Sequence, residues 1–126
     1  PKGKRSKALC YLRDLFPTVC DLAGLPIPGS VEGRSLKPVI QGRANSVYPE
    51  IYGYFRDKQR MVRNNRWKLI NYPEADRYQL FDLGDDPDEK TDLIADKSHA
   101  GVVRKLKAKL TLKIKEWESY ASRENE

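Results

Sequence analysis

The sequence is poor in the residue types that carry most enzyme chemistry. Its 126 residues hold a single histidine, His99, and two cysteines, Cys10 and Cys20. With one histidine and no serine-bearing elbow, no nucleophile-and-base pair can be assembled from this chain. Two cysteines are too few for a disulfide framework or a zinc site. On one continuous helix their Cα atoms would stand about 15 Å apart, beyond the roughly 7 Å reach of a disulfide, so free thiols are expected. Walker and dinucleotide glycine patterns are missing, and so are internal repeats and low-complexity tracts. No run approaches the roughly 20 apolar residues of a membrane span, and the opening PKGKRSKALC lacks the apolar centre of a signal peptide. Carboxylates crowd between Asp82 and Glu89 but not in calcium order. Gly84 falls where an EF-hand loop needs an oxygen ligand, and Pro87 replaces the glycine of its sharp turn, so the stretch reads as a turn. Because the chain opens on Pro1 without a methionine, it is expected to be a piece of a longer protein.

Positive charge is plentiful. Lys and Arg number 24 against 18 Asp and Glu, giving a net charge of +6. Such an excess is compatible with a polyanionic partner without naming it.

Residues from Gln59 to Glu89 organise the chain. A period of two places Trp67, Leu69 and Asn71 on one face and Arg66, Lys68, Ile70 and Tyr72 on the other, and after a Pro-Glu-Ala-Asp break Tyr78, Leu80 and Leu83 follow. This predicts a three-strand meander. Asn64-Asn65 suits a tight turn because asparagine tolerates positive φ, and Pro73 to Asp76 suits a longer hairpin loop. Val47 to Phe55 alternates as a fourth strand, with Pro49 marking its beginning or an edge. A meander cannot bury a face alone, so a helix is required. Ser98 reads as its N-cap, and Val102 or Val103, Leu106, Leu110, Ile114, Trp117 and Tyr120 or Ala121 form its apolar stripe. Its lysines read as a solvated surface, and nucleic acid is not the expected partner.

Upstream, Pro1 to Lys7 reads as a basic lead-in and Ala8 to Leu12 as a short strand. Asp14 then caps a helix with Pro17 in its first turn and Gly24 as its left-handed end. Phe16, Val19, Cys20 and Ala23 share one face, which predicts that Cys20 is core. Leu25 to Gly29 is a proline-stiffened loop. Gly33-Arg34-Ser35-Leu36 is either a turn with an exposed cation or an anion contact near a helix start, and a helical run from Lys37 to Gln41 ends at Gly42. The expected architecture is α+β: a small antiparallel sheet of about four strands packed against a long C-terminal helix, after an N-terminal helix and loop segment. It is read as a single subdomain over residues 1–126, with a helix and proline-rich connection at 1–46 and the sheet and closing helix at 47–126.

A basic, aromatic edge is the remaining chemical signal: Tyr52, Tyr54, Phe55, Arg56, Lys58, Gln59, Arg60, Arg63 and Arg66. Rings beside arginines can stack on sugars or bases while guanidinium groups hold sulfate, carboxylate or phosphate. Ordinary sheet aromatics with solvated cations would look the same.

Four pieces in order resemble the C-terminal part of the sulfatase family, the alkaline-phosphatase-like hydrolases that use a formylglycine nucleophile, and most closely its bacterial members. They are DLFPTVCDLAGLP from Asp14 to Pro26, GRSL from Gly33 to Leu36, RMVR from Arg60 with WKLI from Trp67, and QLFDL from Gln79 running into DPDE from Asp86 to Glu89. The family order of helix, loop, small antiparallel sheet and closing helix agrees with the periodicity. The family's nucleophile lies in a Cys or Ser, x, Pro, x, Arg motif, whereas Cys10 is followed by Tyr11-Leu12-Arg13 and Cys20 by Asp21-Leu22-Ala23. The resemblance therefore assigns no catalytic or metal residue to this chain. It implies formylglycine and calcium in an N-terminal domain that this chain does not contain, and makes that domain the partner. The parent is expected to hydrolyse sulfate esters on a sulfated carbohydrate or other small sulfated compound, and to be exported, while this chain alone is inactive. Packed on that domain, the chain adds one wall of the substrate cleft, with Arg56, Gln59 and Arg60 facing the anion. The competing expectations are a free-standing basic module for polyanions, nucleic acid or sulfated glycan, and a structural role closing the parent's core.

Overall fold

A computed structural model describes residues 3–123, with side chains through residue 120. The chain divides into two compact units, Pro1–Ile51 and Tyr52–Glu126.

The first unit is built around α1, Leu15–Ala23, which follows a 3-10 turn at Leu12–Asp14, and the short α2, Lys37–Ile40. Asp14 stands at the N-cap position, yet its carboxylate does not cap α1. It is fully buried and accepts from the Tyr11 N–H at 2.7 Å, the Arg34 N–H at 2.9 Å and the Tyr48 hydroxyl at 2.7 Å. A buried carboxylate needs such donors, because stripping its water without replacement costs several kcal/mol, on the order of 3–5. One turn on, the Thr18 hydroxyl donates to the Asp14 carbonyl at 2.6 Å and accepts the Leu36 N–H at 2.9 Å. Asp21 then takes the Ser35 hydroxyl at 2.6 Å and the Lys37 ammonium at 2.9 Å. These three positions stitch the loop at 34–37 to one polar side of α1.

Two expectations change for that reason. The strand over Ala8 to Leu12 does not form, since the Ala8 N–H goes to the Ser6 hydroxyl and the Tyr11 N–H to Asp14, leaving no ladder. The buried side of α1 is Pro17, Thr18 and Cys20 rather than the predicted face. Cys20 is core as expected, but Phe16 and Val19 are 56% and 64% exposed. Gly24, at φ 72°, ends the helix with its N–H on the Asp21 and Cys20 carbonyls. Gly33 is required for another reason: a Cβ there would stand 2.4 Å from the Arg13 carbonyl oxygen. Pro28, Gly29 and their neighbours form an irregular loop. Both cysteines are free thiols, Cys10 exposed and Cys20 buried.

The second unit carries a sheet ordered β1-β2-β3-β4, with β1 Ile51–Phe55, β2 Gln59–Arg63, β3 Trp67–Tyr72 and β4 Arg77–Asp82. β1 is shorter than the run from Val47, because Pro49 has no N–H for a ladder and Tyr48 is buried on Asp14 instead. Antiparallel register places Val62 beside Leu69 and Leu69 beside Leu80. All three are sealed from water together with Leu106 and Leu110 of α3, Ala100–Arg123. Each such side chain contributes about 1.5–3 kcal/mol of transfer free energy, so this row fixes the helix on the sheet. α3 lies across the sheet and touches both of its outer strands. His99, in the 3-10 turn leading into it, lies against Trp67 of β3, Lys107 sits over Tyr78 of β4, and Trp117 packs on Tyr54 of β1. Its entry is capped by Asp96, which accepts the Ser98 N–H at 2.8 Å. Ser98 is therefore not the cap, since the Asp96 carboxylate precedes it and also accepts its hydroxyl. Tyr120 is exposed, outside the stripe, and the side chain of Ala121 lies outside the described residues.

The turns follow local chemistry. Between β2 and β3 the Asn64 side-chain oxygen accepts the N–H groups of Arg66 and Trp67 at 2.9 and 2.7 Å. Asparagine is thus used for an Asx bond, not for the positive φ predicted, which neither Asn64 nor Asn65 adopts. Pro73–Ala75 forms a single 3-10 turn and Asp76, at φ 44°, returns the chain into β4. At the β4 end Asp82 is gripped by Arg66 through contacts of 2.7–3.1 Å. Asp82 also receives the Gly84 N–H. Beyond it, Asp86 accepts the Thr91 N–H, and Lys68 pairs with Glu89 at 2.7 Å.

Gly33→Ala is expected to weaken the first unit by about 1–3 kcal/mol, the usual cost of overpacking, read as faster amide exchange at Arg34 and Leu36. Gly53→Ala is the control, because its Cβ would meet only the flexible Met61 methyl. A second expectation concerns pH. Hydrogen bonds from Ser35 to Asp21, Arg66 to Asp82, the Thr91 backbone to Asp86 and Ser98 to Asp96 lower these carboxyls below the ordinary 3.8. Their contribution is fully present above that value and is lost as pH falls through the lower folded values. Burial, then the Asp14 contact, pushes the Tyr48 hydroxyl up from 10.0 to about 12. That contribution is present below pH 10.0 and lost as pH rises toward about 12. Thermal unfolding against pH should show both limbs, and Tyr48→Phe should remove the alkaline one.

Candidate functional site

The β1–β2 hairpin collects Arg56, Gln59 and Arg60 at one tip. β1 ends at Phe55, β2 starts at Gln59, and the Lys58 N–H closes the turn on the Phe55 carbonyl at 3.1 Å. Their states differ. Arg60 is turned back onto the hairpin, its guanidinium donating to the Arg56 and Gln59 carbonyls and to the Asp57 carboxylate. Its side chain keeps 18% of its exposure and lies over the Tyr54 ring, with the guanidinium carbon 5.8 Å from the centroid. Arg60 therefore pins the tip, while Arg56 and Gln59 stay exposed.

Arg56 adopts φ 47°, left-handed backbone that a glycine enters without cost. An arginine there costs about 1–2 kcal/mol. Among the described residues its guanidinium has no carboxylate partner, and its neighbour is the exposed Phe55 ring, 5.7 Å away. Tyr54 beside it is also exposed. The neighbouring cation Lys58 is engaged by Glu74 at 3.2 Å.

The cationic edge read from the sequence divides here. Arg63 ends β2, about 10 Å from Arg60 at roughly 3.4 Å per residue, and Arg66 lies in the turn that follows. Arg66 is held by Asp82 and Asp85. The Arg63 Nε is sealed from solvent and, among the described residues, is the buried side-chain atom without a hydrogen bond. Among the described residues of this edge, the tip thus presents the arginine without a carboxylate partner beside an exposed ring. The folded-back state of Arg60 was not evident from the sequence, although Asp57 three residues earlier is a local signal for it.

Cys10 is exposed without the motif, Cys20 is buried in α1, and the carboxylates around Asp82 are turned onto Arg66, the Gly84 N–H and the Thr91 N–H. Among the described residues no group of three or more His, Cys, Asp or Glu side chains is placed to hold a metal. His99 is spoken for by Asp96 at 3.1 Å and the Trp67 ring. No helix of the described residues is long and apolar enough to cross a membrane.

Comparison with known proteins gives a consistent result. Residues 1–116 match the family described as N-sulphoglucosamine sulphohydrolase, C-terminal. The delta 4,5-hexuronate-2-O-sulfatase of Bacteroides thetaiotaomicron is 33% identical over 105 residues, covering 77% of this chain and 22% of that protein. An arylsulfatase of Clostridium perfringens is 36% identical over 99 residues, covering 74% of this chain and 21% of its own. The solved structure of a 2-O GAG sulfatase superposes with a TM-score of 0.71 at 30% identity, over 86% of this chain and 26% of that one. The chain spans about a fifth of the length of these curated relatives. The reading as a free-standing polyanion module gains no support from them.

Proposed function

This chain belongs to the sulfatase family, as a C-terminal domain of the N-sulphoglucosamine sulphohydrolase type, and we propose from that premise that it completes the substrate cleft of a sulfate ester hydrolase. The catalytic domain, with its formylglycine and calcium, lies upstream in the same polypeptide. This chain supplies no bond-breaking group, and its share of the reaction is to hold the sulfated substrate in place. The substrate class is a sulfated carbohydrate, in keeping with the hexuronate and GAG named for two of its relatives. The parent protein is exported, as befits an enzyme acting on polymeric glycans.

The observation that carries this reading is Arg56. A residue kept in left-handed backbone at a cost, with its cation uncommitted and a bare aromatic ring beside it, favours stability less than glycine would. Strain of this kind gathers at ligand-binding positions. A guanidinium offers paired donors to a sulfate, and the exposed Phe55 ring offers a face to a sugar. Arg60 holds the tip in the conformation that presents them, and Gln59 adds a neutral donor.

Arg56→Gly separates stability from function. In the 126-residue chain it should raise the unfolding free energy by about 1 kcal/mol through relief of the left-handed arginine. In the full polypeptide it should raise KM for a sulfated disaccharide about tenfold, the equivalent of one charged hydrogen bond, with kcat within about twofold. Arg60→Ala should also raise KM, by releasing the tip. Unchanged KM in both variants would remove the cleft from this account. The chain alone should give no turnover of an aryl sulfate above the buffer rate, with or without calcium, and measurable turnover would overturn the assignment of the chemistry to an upstream domain.

A further inference from the structure

The first unit exposes an apolar stripe that none of its described residues covers. Leu12, Leu15, Phe16, Val19 and Leu22 recur at three- and four-residue intervals, so they lie on one side of the 3-10 turn and α1, and each is between 52% and 84% exposed. The stripe is also uncharged. Asp21 is the one ionisable carboxylate or ammonium in α1, and it is turned away into Ser35 and Lys37. A helix that faces water carries polar residues on its outer side, whereas this one carries them on its inner side, where Asp14, Thr18 and Asp21 bind the loop at 34–37. The hydrophobic face therefore points outward because the polar face is consumed within the unit.

We propose that this stripe is the docking face for the catalytic domain that lies upstream in the same polypeptide. The inference rests on the functional reading above and adds to it the surface by which the two parts join. A permanent partner is favoured by chemistry: lasting interfaces resemble a domain core cut in half and lack charge at their centre, and this stripe has none. A partner within the polypeptide is favoured by length. The family match begins at residue 1 and includes α1, while the chain accounts for only 22% and 21% of two relatives, so most of a sulfatase's own surface lies outside it.

The test is peptide-resolved maleimide labelling of Val19→Cys, in the 126-residue chain and in the polypeptide extended through its upstream coding sequence. Val19 is exposed, so the substitution leaves the packing of the first unit intact. Labelling should be fast in the short chain and slower by about tenfold or more in the extended one, the protection expected of a stably closed interface. Leu112→Cys, on the exposed side of α3, should label equally in both. Equal rates at Val19→Cys would overturn the proposal. So would protection in the short chain that grows with its concentration, because a second copy would then be the occupant, and so would an upstream sequence encoding no further domain. Protection of Val19→Cys together with an unchanged KM for Arg56→Gly would leave the docking face standing and remove only the cleft reading.

Discussion

A carboxylate with no exposed surface must be met by donors on every side, and in the first unit this demand at Asp14 determines the rest. Its partners come from the turn before α1, from Arg34 and from Tyr48, so one buried group gathers three separated stretches of chain. The loop that supplies Arg34 must then run against α1 closely enough that Gly33 cannot carry a side chain. Thr18 and Asp21 extend the same seam by one turn each. A unit held by directed hydrogen bonds on one side of its helix has little use for the leucines on the other side. The exposed stripe is the physical counterpart of the buried charge.

The second unit obeys a different constraint. A four-strand meander has one face to be removed from water, and Val62, Leu69 and Leu80 are covered by Leu106 and Leu110 together with half-buried neighbours such as Leu93, Val103 and Ile114. Long contacts from Trp67 to Tyr54 keep α3 across all the strands. The β1–β2 tip stands on this rigid platform, and the platform lets it hold an arginine in left-handed backbone. A strained residue persists only where its surroundings over-determine it, which here means the sheet below and the Arg60 guanidinium beside it.

Periodicity made the sheet and α3 legible, because both bury a face within this chain and so obey the rule that apolar positions point inward. The same rule misread α1. Phe16 and Val19 have the right spacing for a core, and sequence alone cannot say whether that core belongs to the same piece of polypeptide. Local competition defeated other readings: Asp96 and Ser98 are both good caps, and the carboxylate wins by accepting from the backbone and the hydroxyl at once. Asn64 sits in the turn that its residue type predicts, but its side-chain bonds, rather than positive φ, close it. At the candidate site, Arg56, Gln59 and Arg60 could be located in the sequence but not told apart. Which arginine is spent on the fold depends on a turn geometry that spacing does not encode.

Taken alone, each irregularity has a bland explanation, because single exposed leucines and exposed arginines are ordinary. Their character makes the difference. A sequence selected to fold and act by itself would gain from charge on the outer side of α1 and from glycine at position 56, and both changes are available by single substitutions. The stripe and the strained cation are departures from local self-consistency of opposite chemistry, one apolar and one charged. Departures of that kind mark the places where a protein meets something outside itself. A purely structural tail would need only the stripe, and a free-standing anion binder only the cation. The role proposed for this chain, joining a catalytic domain and facing its anionic substrate, calls for the two together.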